Sequence, residues 1–277
     1  MIDTLILSGG GPSGISYIGV FKSLIDNNII DKELKDIKEI ITTSVGIIFS
    51  LFLISKINLN DLYKILLNID FLNLLDINNL TINNLLLEYG LFDNNNVGNY
   101  FNIFTKHVYN KENITLKEFY DITNIKLTVK VYNVTLCNIE YISYLNHPNL
   151  ELEKLARMTT AIPFFFKPIK YNNYLYVDGG TKGNLPIERC NSSKYLAINI
   201  KGGISNGFKS DLVPLLEYTK NLILDSFSNE NYDEKRNIII NINKGINFDL
   251  NNDIKKEIIK SGFIQTNNHI KKYFTEN

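Results

Sequence analysis

The sequence predicts an α/β fold whose first strands are parallel. Two short apolar runs, residues 4–7 and 37–42, have the length and composition of buried strands. Each is followed by a run with helical spacing of apolar residues, at 15–27 and 45–56. This order is typical of adjacent parallel strands joined by a right-handed crossover. The 277 residues are also enough for a sizeable hydrophobic core.

The rest of the chain continues the mixed pattern. Residues 58–119 are mostly helical, with Leu, Ile and Asn interleaved. Residues 126–135 alternate as a strand does, and 141–144 are expected to pair with them. The remaining predicted elements are a helix at 150–159 ended by Pro163 and Pro168, strands at 174–177, 195–200 and 237–242, and a C-terminal helix at 253–274 in which Gly262 marks a candidate interruption.

The sequence predicts a single domain over residues 1–277. It contains no internal repeat and no linker rich in Pro or in Gly and Ser. The motifs described below lie within residues 4–188, and we expect 191–277 to complete the same domain with further strands and a helix.

Composition and charge exclude some classes of function. Lys plus Arg and Asp plus Glu each number 29, so the net charge is zero, and no block of like charge indicates a nucleic-acid partner. Two cysteines, Cys137 and Cys190, are too few for a disulfide framework. The N-terminus lacks signal-peptide features, and the longest apolar run, residues 45–54, is about half a bilayer span. These features predict a cytoplasmic protein whose membrane contact, if any, is peripheral.

A glycine-rich loop follows the first predicted strand. A loop in this position either cradles a phosphate or directs backbone N–H groups at a reacting oxyanion. The G-x-G-x-x-G spacing also fits a dinucleotide site, but there an acidic residue ends the second strand, which here ends in Thr42-Thr43-Ser44. The loop reads Gly9-Gly10-Gly11-Pro12-Ser13-Gly14.

A serine stands between the second predicted strand and the second predicted helix. Ser44 follows the strand directly, which is the position of a nucleophile elbow. The helix N-terminus behind it favours developing negative charge. The usual elbow pattern is G-x-S-x-G, and here Thr42 replaces the first glycine while Gly46 retains the second. A serine that only caps the helix is the alternative interpretation.

An aspartate stands at the end of the predicted strand 174–177. Asp178 is followed by Gly179 and Gly180, which allow a tight turn. In open α/β sheets, ligands bind beyond the carboxyl ends of the strands. An Asx turn that closes the strand is the alternative interpretation.

These three features fit one purpose. A serine nucleophile needs a base, and a tetrahedral intermediate needs N–H donors. Ser44, Asp178 and the glycine-rich loop each follow a predicted strand, so we expect them to meet at one edge of one sheet.

On these motifs the chain resembles the patatin-like phospholipase family. The resemblance runs in order from residue 4 to about 188. It comprises the glycine-rich loop and the following helix, the elbow, the stretch before the aspartate and the Asp-Gly-Gly motif. The matching segments are residues 7–14, 19–22, 43–46, 89–93, 116–120, 156–163 and 178–180.

The resemblance implies a three-layer α/β/α sandwich with a mainly parallel central sheet. It also implies a Ser-Asp dyad in which Asp178 takes the proton of Ser44, while the Gly10 and Gly11 N–H groups hold the oxyanion and Gly9 shapes the loop. Water then releases the acyl-enzyme. The implied substrate is a glycerophospholipid or another lipid ester at a membrane surface, cleaved as by a phospholipase A. No metal and no cofactor are implied, and the oligomeric state stays open.

Two departures from the family pattern keep a second function open. Family members often carry Lys or Arg where this chain has Ser13, and Thr42 replaces the elbow glycine. A catalytically weak or inactive lipid-binding relative is therefore one alternative.

A Ser-His-Asp esterase is another alternative, because Ser44, Asp178 and His269 follow the α/β-hydrolase order. His269, however, lies in the amphipathic C-terminal helix, and the elbow comes early in the chain.

Two apolar segments are candidates for lipid contact. The Leu- and Ile-rich residues 59–87 form either a lid or part of the core. Phe164, Phe165 and Phe166 are candidates for an acyl pocket, although adjacent side chains of a strand do not all face one way. The residues of the first segment that would face lipid are Phe71, Leu72, Leu74 and Leu75.

Overall fold

The fold is built on a central β-sheet that is mostly parallel. A computed structural model describes residues 1–74, 82–202, 233–242 and 250–274 of the chain. The strands are β1 (Thr4–Leu7), β2 (Glu39–Thr43), β3 (Gly90–Phe92), β4 (Lys126–Asn133), β5 (Asn138–Ile142), β6 (Phe164–Phe166), β7 (Ile169–Tyr171), β8 (Tyr174–Asp178), β9 (Tyr195–Gly202) and β10 (Asn237–Ile242). The helices are α1 (Ser16–Asp26), α2 (Gly46–Ile54), α3 (Leu59–Asn68), α4 (Ile82–Glu88), α5 (Asn95–Tyr109), α6 (Leu116–Thr123), α7 (Leu152–Thr160) and α8 (Asn252–Tyr273).

The sheet changes from parallel to antiparallel at β4. Strands β10, β9, β1, β2 and β4 pair in that order and run parallel. On β4 the pairing becomes antiparallel, with β5 and with β8, and β7 then pairs with β8. Strands β3 and β6 form a separate parallel pair. The prediction of an α/β fold with a mainly parallel central sheet is confirmed.

Strand β1 is buried on both faces, as expected for the middle of a parallel sheet. Leu5 and Leu7 belong to the main hydrophobic core, which the helices share. Ile6 faces the other side and packs with a smaller cluster that includes Leu185. This double burial explains why β1 is an uninterrupted apolar run in the sequence.

Some elements differ from the sequence-based expectations. The first helix begins at Ser16, because residues 11–15 form a 3-10 turn. Residues 58–119 are not all helical, since β3 lies among them. Strand β3 depends on a tertiary contact: a Cβ at Gly90 would lie 2.4 Å from the Phe166 carbonyl oxygen, so only glycine lets β3 pack this closely on β6.

Helix α8 continues through Gly262, so the expected interruption is wrong. The glycine instead permits a close crossing with α1. A Cβ at Gly262 would lie 2.3 Å from the Ser16 carbonyl oxygen, and one at Gly19 would lie 2.0 Å from the Ile259 carbonyl oxygen. Within the described ranges, no helix combines the length and the apolar character needed to cross a bilayer.

We predict that Gly262→Ala destabilises the protein by about 1–3 kcal/mol, because the new methyl group forces α1 and α8 apart. In an exposed helix the same change stabilises by about 1 kcal/mol, so the sign of the effect identifies the cause. Urea unfolding measures it, with Asn268→Ala on the exposed face of α8 as the control. A more stable Gly262→Ala variant would contradict the close crossing.

Candidate active site

Ser44 lies at a sharp turn between β2 and α2. Its φ is 51°, in the left-handed region that non-glycine residues seldom adopt. The turn is held by a hydrogen bond of 2.8 Å from the Ser44 N–H to Thr159 Oγ1 on α7. Thr159 in turn donates to the Lys130 carbonyl oxygen at 2.8 Å. A buried threonine from a distant helix therefore holds the elbow in its strained conformation.

Strand β4 brings Ser44 and Asp178 together. Strand β2 pairs with β4 as far as Thr43 opposite Lys130, and β8 pairs with it from Asp178 opposite Val131. Strand β5 pairs with β4 over Val129–Asn133 and so occupies one edge along this whole stretch. Strands β2 and β8 must therefore share the other edge, one after the other. Because β8 runs antiparallel, the carboxyl ends of the two strands meet.

Asp178 accepts hydrogen bonds on both carboxylate oxygens. Ser44 Oγ donates to Oδ2 at 2.6 Å. The Gly180 N–H donates to Oδ1 at 2.7 Å, across the turn that follows the strand. Asp178 is only 3% exposed. The carboxylate is thus held rigidly, with one oxygen directed at the serine hydroxyl.

Burial sets the charge behaviour of this carboxylate. It raises the pKa of Asp178 to about 6, although the hydrogen bonds from Ser44 and Gly180 and the charge of Lys130 act in the opposite direction. A carboxylate with a pKa near 6 is mostly ionised at neutral pH and is a stronger base than an exposed aspartate.

Lys130 is a buried cation beside the turn after Asp178. Its side chain is 1% exposed. Nζ donates to the carbonyl oxygens of Lys182 (2.7 Å) and Gly183 (3.0 Å) and to Glu188 Oε1 (2.6 Å). Tyr141 also donates its hydroxyl to the Glu188 carboxylate. Sequence reasoning missed this role, although a lysine between Val129 and Val131 of a predicted strand was its signal.

The glycine-rich loop lies directly against Ser44. A Cβ at Gly9 would lie 2.9 Å from Ser44 Cβ, so no larger residue fits there. The Gly9 N–H donates to the Asn184 carbonyl oxygen at 3.3 Å and is therefore already paired. Among the described residues, the N–H groups of Gly10 and Gly11 have no protein acceptor. Gly11 has a φ of 52° and lines the same cavity as Ser44.

Gly14, Gly46 and Gly179 serve packing. A Cβ at Gly14 would lie 2.9 Å from both Phe49 and Val45, and one at Gly179 would lie 2.4 Å from the Lys130 carbonyl oxygen. Thr42 requires a glycine at position 46, because a Cβ at Gly46 would lie 2.2 Å from the Thr42 hydroxyl oxygen. That hydroxyl also donates to the Leu7 carbonyl oxygen at 3.1 Å. Thr42 is thus accommodated at the elbow.

An apolar cavity opens beside Ser44. Ser44 and Thr160 are among the residues that line it, and its lining surface is almost entirely apolar. Phe166 lines it, Phe165 packs against Phe92, and Phe164 is exposed, so the three phenylalanines point to different places. The main apolar lining residues come from α2, α3, the turn after α3 and the segment around β6: Ile48, Phe49, Leu66, Phe71, Ile162 and Phe166.

The other candidate catalytic residue lies away from the Ser44–Asp178 pair. His269 has its Nε2 3.0 Å from the Lys235 carbonyl oxygen and its ring against Tyr273, with no contact to Ser44 or Asp178. Leu75 and the side chains of Leu72 and Leu74 lie outside the described residues. In the described part of the chain, no cluster of three His, Cys, Asp or Glu residues has the arrangement of a metal site.

Sequence comparison supports a family assignment. A family model described as patatin-like phospholipase matches residues 5–190, a stretch that contains Ser44 and Asp178. The chain is 29% identical over 185 residues to "Probable lipid hydrolase 463L" of Invertebrate iridescent virus 6 and 26% identical over 186 residues to "Uncharacterized protein R571" of Acanthamoeba polyphaga mimivirus. Each alignment covers 67% of this chain, and 62% and 60% of the two relatives.

Solved structures share the fold. The crystal structure of VipD from Legionella pneumophila aligns over 98% of this chain and 67% of its own, with a TM-score of 0.69 and 16% identity. ExoU from Pseudomonas aeruginosa aligns over 99% of this chain and 53% of its own, with a TM-score of 0.57 and 13% identity.

The fold and the site define a class of α/β proteins in which a serine at a strand-to-helix elbow faces an aspartate at the end of another strand of the same sheet. Within this class, the chain belongs to the patatin-like phospholipase family. The predicted three-layer α/β/α sandwich with a mainly parallel central sheet is confirmed, and VipD and ExoU share the fold.

We predict that Thr159→Val lowers the free energy of unfolding by about 1–3 kcal/mol, because it leaves the buried Ser44 N–H without an acceptor. Thr159→Ser retains the hydroxyl and is expected to lose much less. Urea denaturation of both variants measures the difference. A stable Thr159→Val variant, with the loss seen in Thr159→Ser instead, would show that the methyl group of Thr159, rather than its hydrogen bond, supports the elbow.

Proposed function

We propose that the protein is a serine acyl hydrolase that cleaves fatty-acyl esters of glycerophospholipids, as a phospholipase A does. The observation that carries the proposal is the 2.6 Å hydrogen bond from Ser44 Oγ to Asp178, beside an apolar cavity that Ser44 lines. The family and the name of the iridescent virus relative support lipid ester hydrolysis. The chain spans about three fifths of the length of these two curated relatives. We therefore infer the activity from the site itself and not from the relatives. We also propose that residues 1–277 form one domain, because β9 and β10 extend the sheet that carries the site.

The proposed reaction has two stages. In the first, Asp178 takes the Ser44 proton while Oγ forms a bond to the ester carbonyl carbon, and the resulting oxyanion is held by the N–H groups of Gly10 and Gly11. The intermediate collapses, the C–O bond to the glycerol oxygen breaks, and Asp178 returns the proton to that oxygen. This releases a lysophospholipid and leaves the acyl chain on Ser44.

In the second stage, water replaces the alcohol. Asp178 accepts a proton from water, whose oxygen attacks the acyl carbonyl, and the bond to Ser44 Oγ breaks as the proton returns to Oγ. A fatty acid leaves. The apolar cavity suits the acyl chain, and its contact with Ser44 places the carboxyl end of that chain at the nucleophile.

We predict that Ser44→Ala and Asp178→Asn each lower fatty-acid release by about a hundredfold or more, because each removes a group that acts in bond making. The measurement uses mixed phospholipid vesicles with different acyl chains at the two glycerol positions and with EDTA present. Circular dichroism verifies folding, and His269→Ala is the control that is expected to keep full activity.

Two outcomes would contradict this proposal. Loss of activity in His269→Ala as well as in the Ser44 and Asp178 variants would favour a Ser-His-Asp esterase. A wild-type protein that is inert on vesicles and on simple esters would favour a lipid-binding relative. In that case Ser13, buried in the glycine-rich loop where family members often carry a cation, is the first residue to replace.

We predict that activity rises with pH through an apparent pKa near 6, because only the ionised Asp178 accepts the serine proton and burial raises its pKa to about 6. Lys130→Met removes a positive charge that stabilises the carboxylate, so the rising limb moves to higher pH. Glu188→Gln leaves the Lys130 charge uncompensated, so the limb moves to lower pH. Profiles on a water-soluble ester at constant ionic strength measure both shifts. Shifts of the same sign in the two variants would point to a structural role of the ion pair.

A further inference from the structure

An exposed apolar surface lies beside the cavity, on the small sheet formed by β3 and β6. We call it the aromatic ledge and define it as Leu86, Leu87, Tyr89 and Phe164. These side chains are 68%, 76%, 60% and 53% exposed, respectively. Exposed apolar side chains are common singly, but a contiguous group next to a pocket indicates an interaction site.

The register of β3 and β6 places Tyr89 next to Phe164. Gly90 pairs with Phe164, and Tyr89 directly precedes Gly90. Leu86 and Leu87 lie in the last turn of α4, which leads directly into β3. Tyr89 and Phe164 thereby lie at one end of the small sheet, and the exposed Leu86 and Leu87 directly precede this end in the chain.

The backbone at the ledge is strained at two adjacent positions. Tyr89 has a φ of 62° and Phe164 a φ of 65°, both in the left-handed region. Bulky aromatic residues seldom adopt this conformation, and residues held in it often lie at functional sites. No burial is gained in return, because both rings are more than half exposed.

The ledge is continuous with the wall of the cavity. Strand β6 runs from the exposed Phe164 to Phe166, which lines the cavity beside Ser44, and Phe166 pairs with Phe92 of β3. A ligand with apolar chains that contacted Phe164 would therefore lie close to Phe166, the residue of the cavity wall two positions further along the strand.

We propose that the aromatic ledge inserts into the surface of a lipid bilayer and so places the cavity against the membrane. Aliphatic residues beside a tyrosine, with the Lys167–Glu88 ion pair close by, have the composition of segments that lie in a membrane interface. Four side chains also expose much less than the ~800 Å² per partner that a stable protein interface buries, whereas insertion into lipid has no such minimum. The biological purpose of this membrane contact rests on the proposed function, but the binding test below does not depend on catalysis.

The test measures binding without catalysis. In a Ser44→Ala background, which leaves the lipid intact, wild-type and Tyr89→Ser/Phe164→Ser ledges are compared by co-sedimentation with phosphatidylcholine vesicles, with and without phosphatidylglycerol. We expect the double variant to lose about tenfold or more of its vesicle affinity, because two rings no longer leave water. Leu145→Ser, which changes a 65% exposed leucine outside the ledge, is the matched control and is expected to bind as the parent does.

A second readout separates the ledge from the active site. With Ser44 intact, the double variant is expected to keep the wild-type kcat/KM on a water-soluble short-chain ester and to lose turnover on vesicles. If no substrate is turned over, the proposed function fails while co-sedimentation still tests the ledge. Unchanged vesicle binding in the double variant would overturn the ledge proposal, as would light scattering showing that the ledge instead joins two copies of the chain.

Discussion

The whole site depends on the way β2 and β8 share one edge of β4. Their carboxyl ends meet where Lys130 is followed by Val131, and this junction brings Ser44 Oγ to 2.6 Å from Asp178 Oδ2. The Lys130 carbonyl oxygen at the junction accepts hydrogen bonds from Thr43 (3.4 Å) and Thr159 (2.8 Å). A single carbonyl group thus connects the end of β2, helix α7 and, through Thr159, the N–H of the serine. An antiparallel β8 is essential, because a parallel strand would direct its carboxyl end away from the junction.

The same junction explains why a lysine is buried in the middle of the sheet. Burying a cation is costly unless it is paired and hydrogen-bonded. Lys130 satisfies this condition with Glu188 and two carbonyl groups of the segment that follows the aspartate turn. Its partners therefore fix the path of the chain directly after Asp178. The Lys130 side chain thus fixes that segment by hydrogen bonds. Its charge also lowers the pKa of Asp178, whereas burial raises it.

Much of this arrangement was predictable from sequence, since it depends on local pattern. Ser44, Asp178 and the glycine-rich loop each follow a strand-like run, and such signals need no knowledge of distant contacts. The strain at Ser44, the bridging Thr159, and strands β3 and β6 were not predictable, because each depends on a contact between segments far apart in the chain. Gly262 illustrates the limit well. A glycine within a helix weakens it locally, and only the Ser16 carbonyl group on α1 shows why glycine is required there.

The cavity is also supported from outside the stretch that the family model matches. Lys255 on α8 is buried, and its Nζ lies 3.1 Å from the Leu67 carbonyl oxygen and 2.5 Å from that of Ile69, at the end of α3. The same ammonium lies 5.3 Å from the ring of Phe71, which lines the cavity. A cation at a helix C-terminus is favourable, and its contact with an aromatic face adds to this. The wall of the cavity is therefore positioned by a C-terminal helix, while the Ser44–Asp178 pair is positioned by the sheet. Changes in α8 can alter the shape of the cavity without touching the pair.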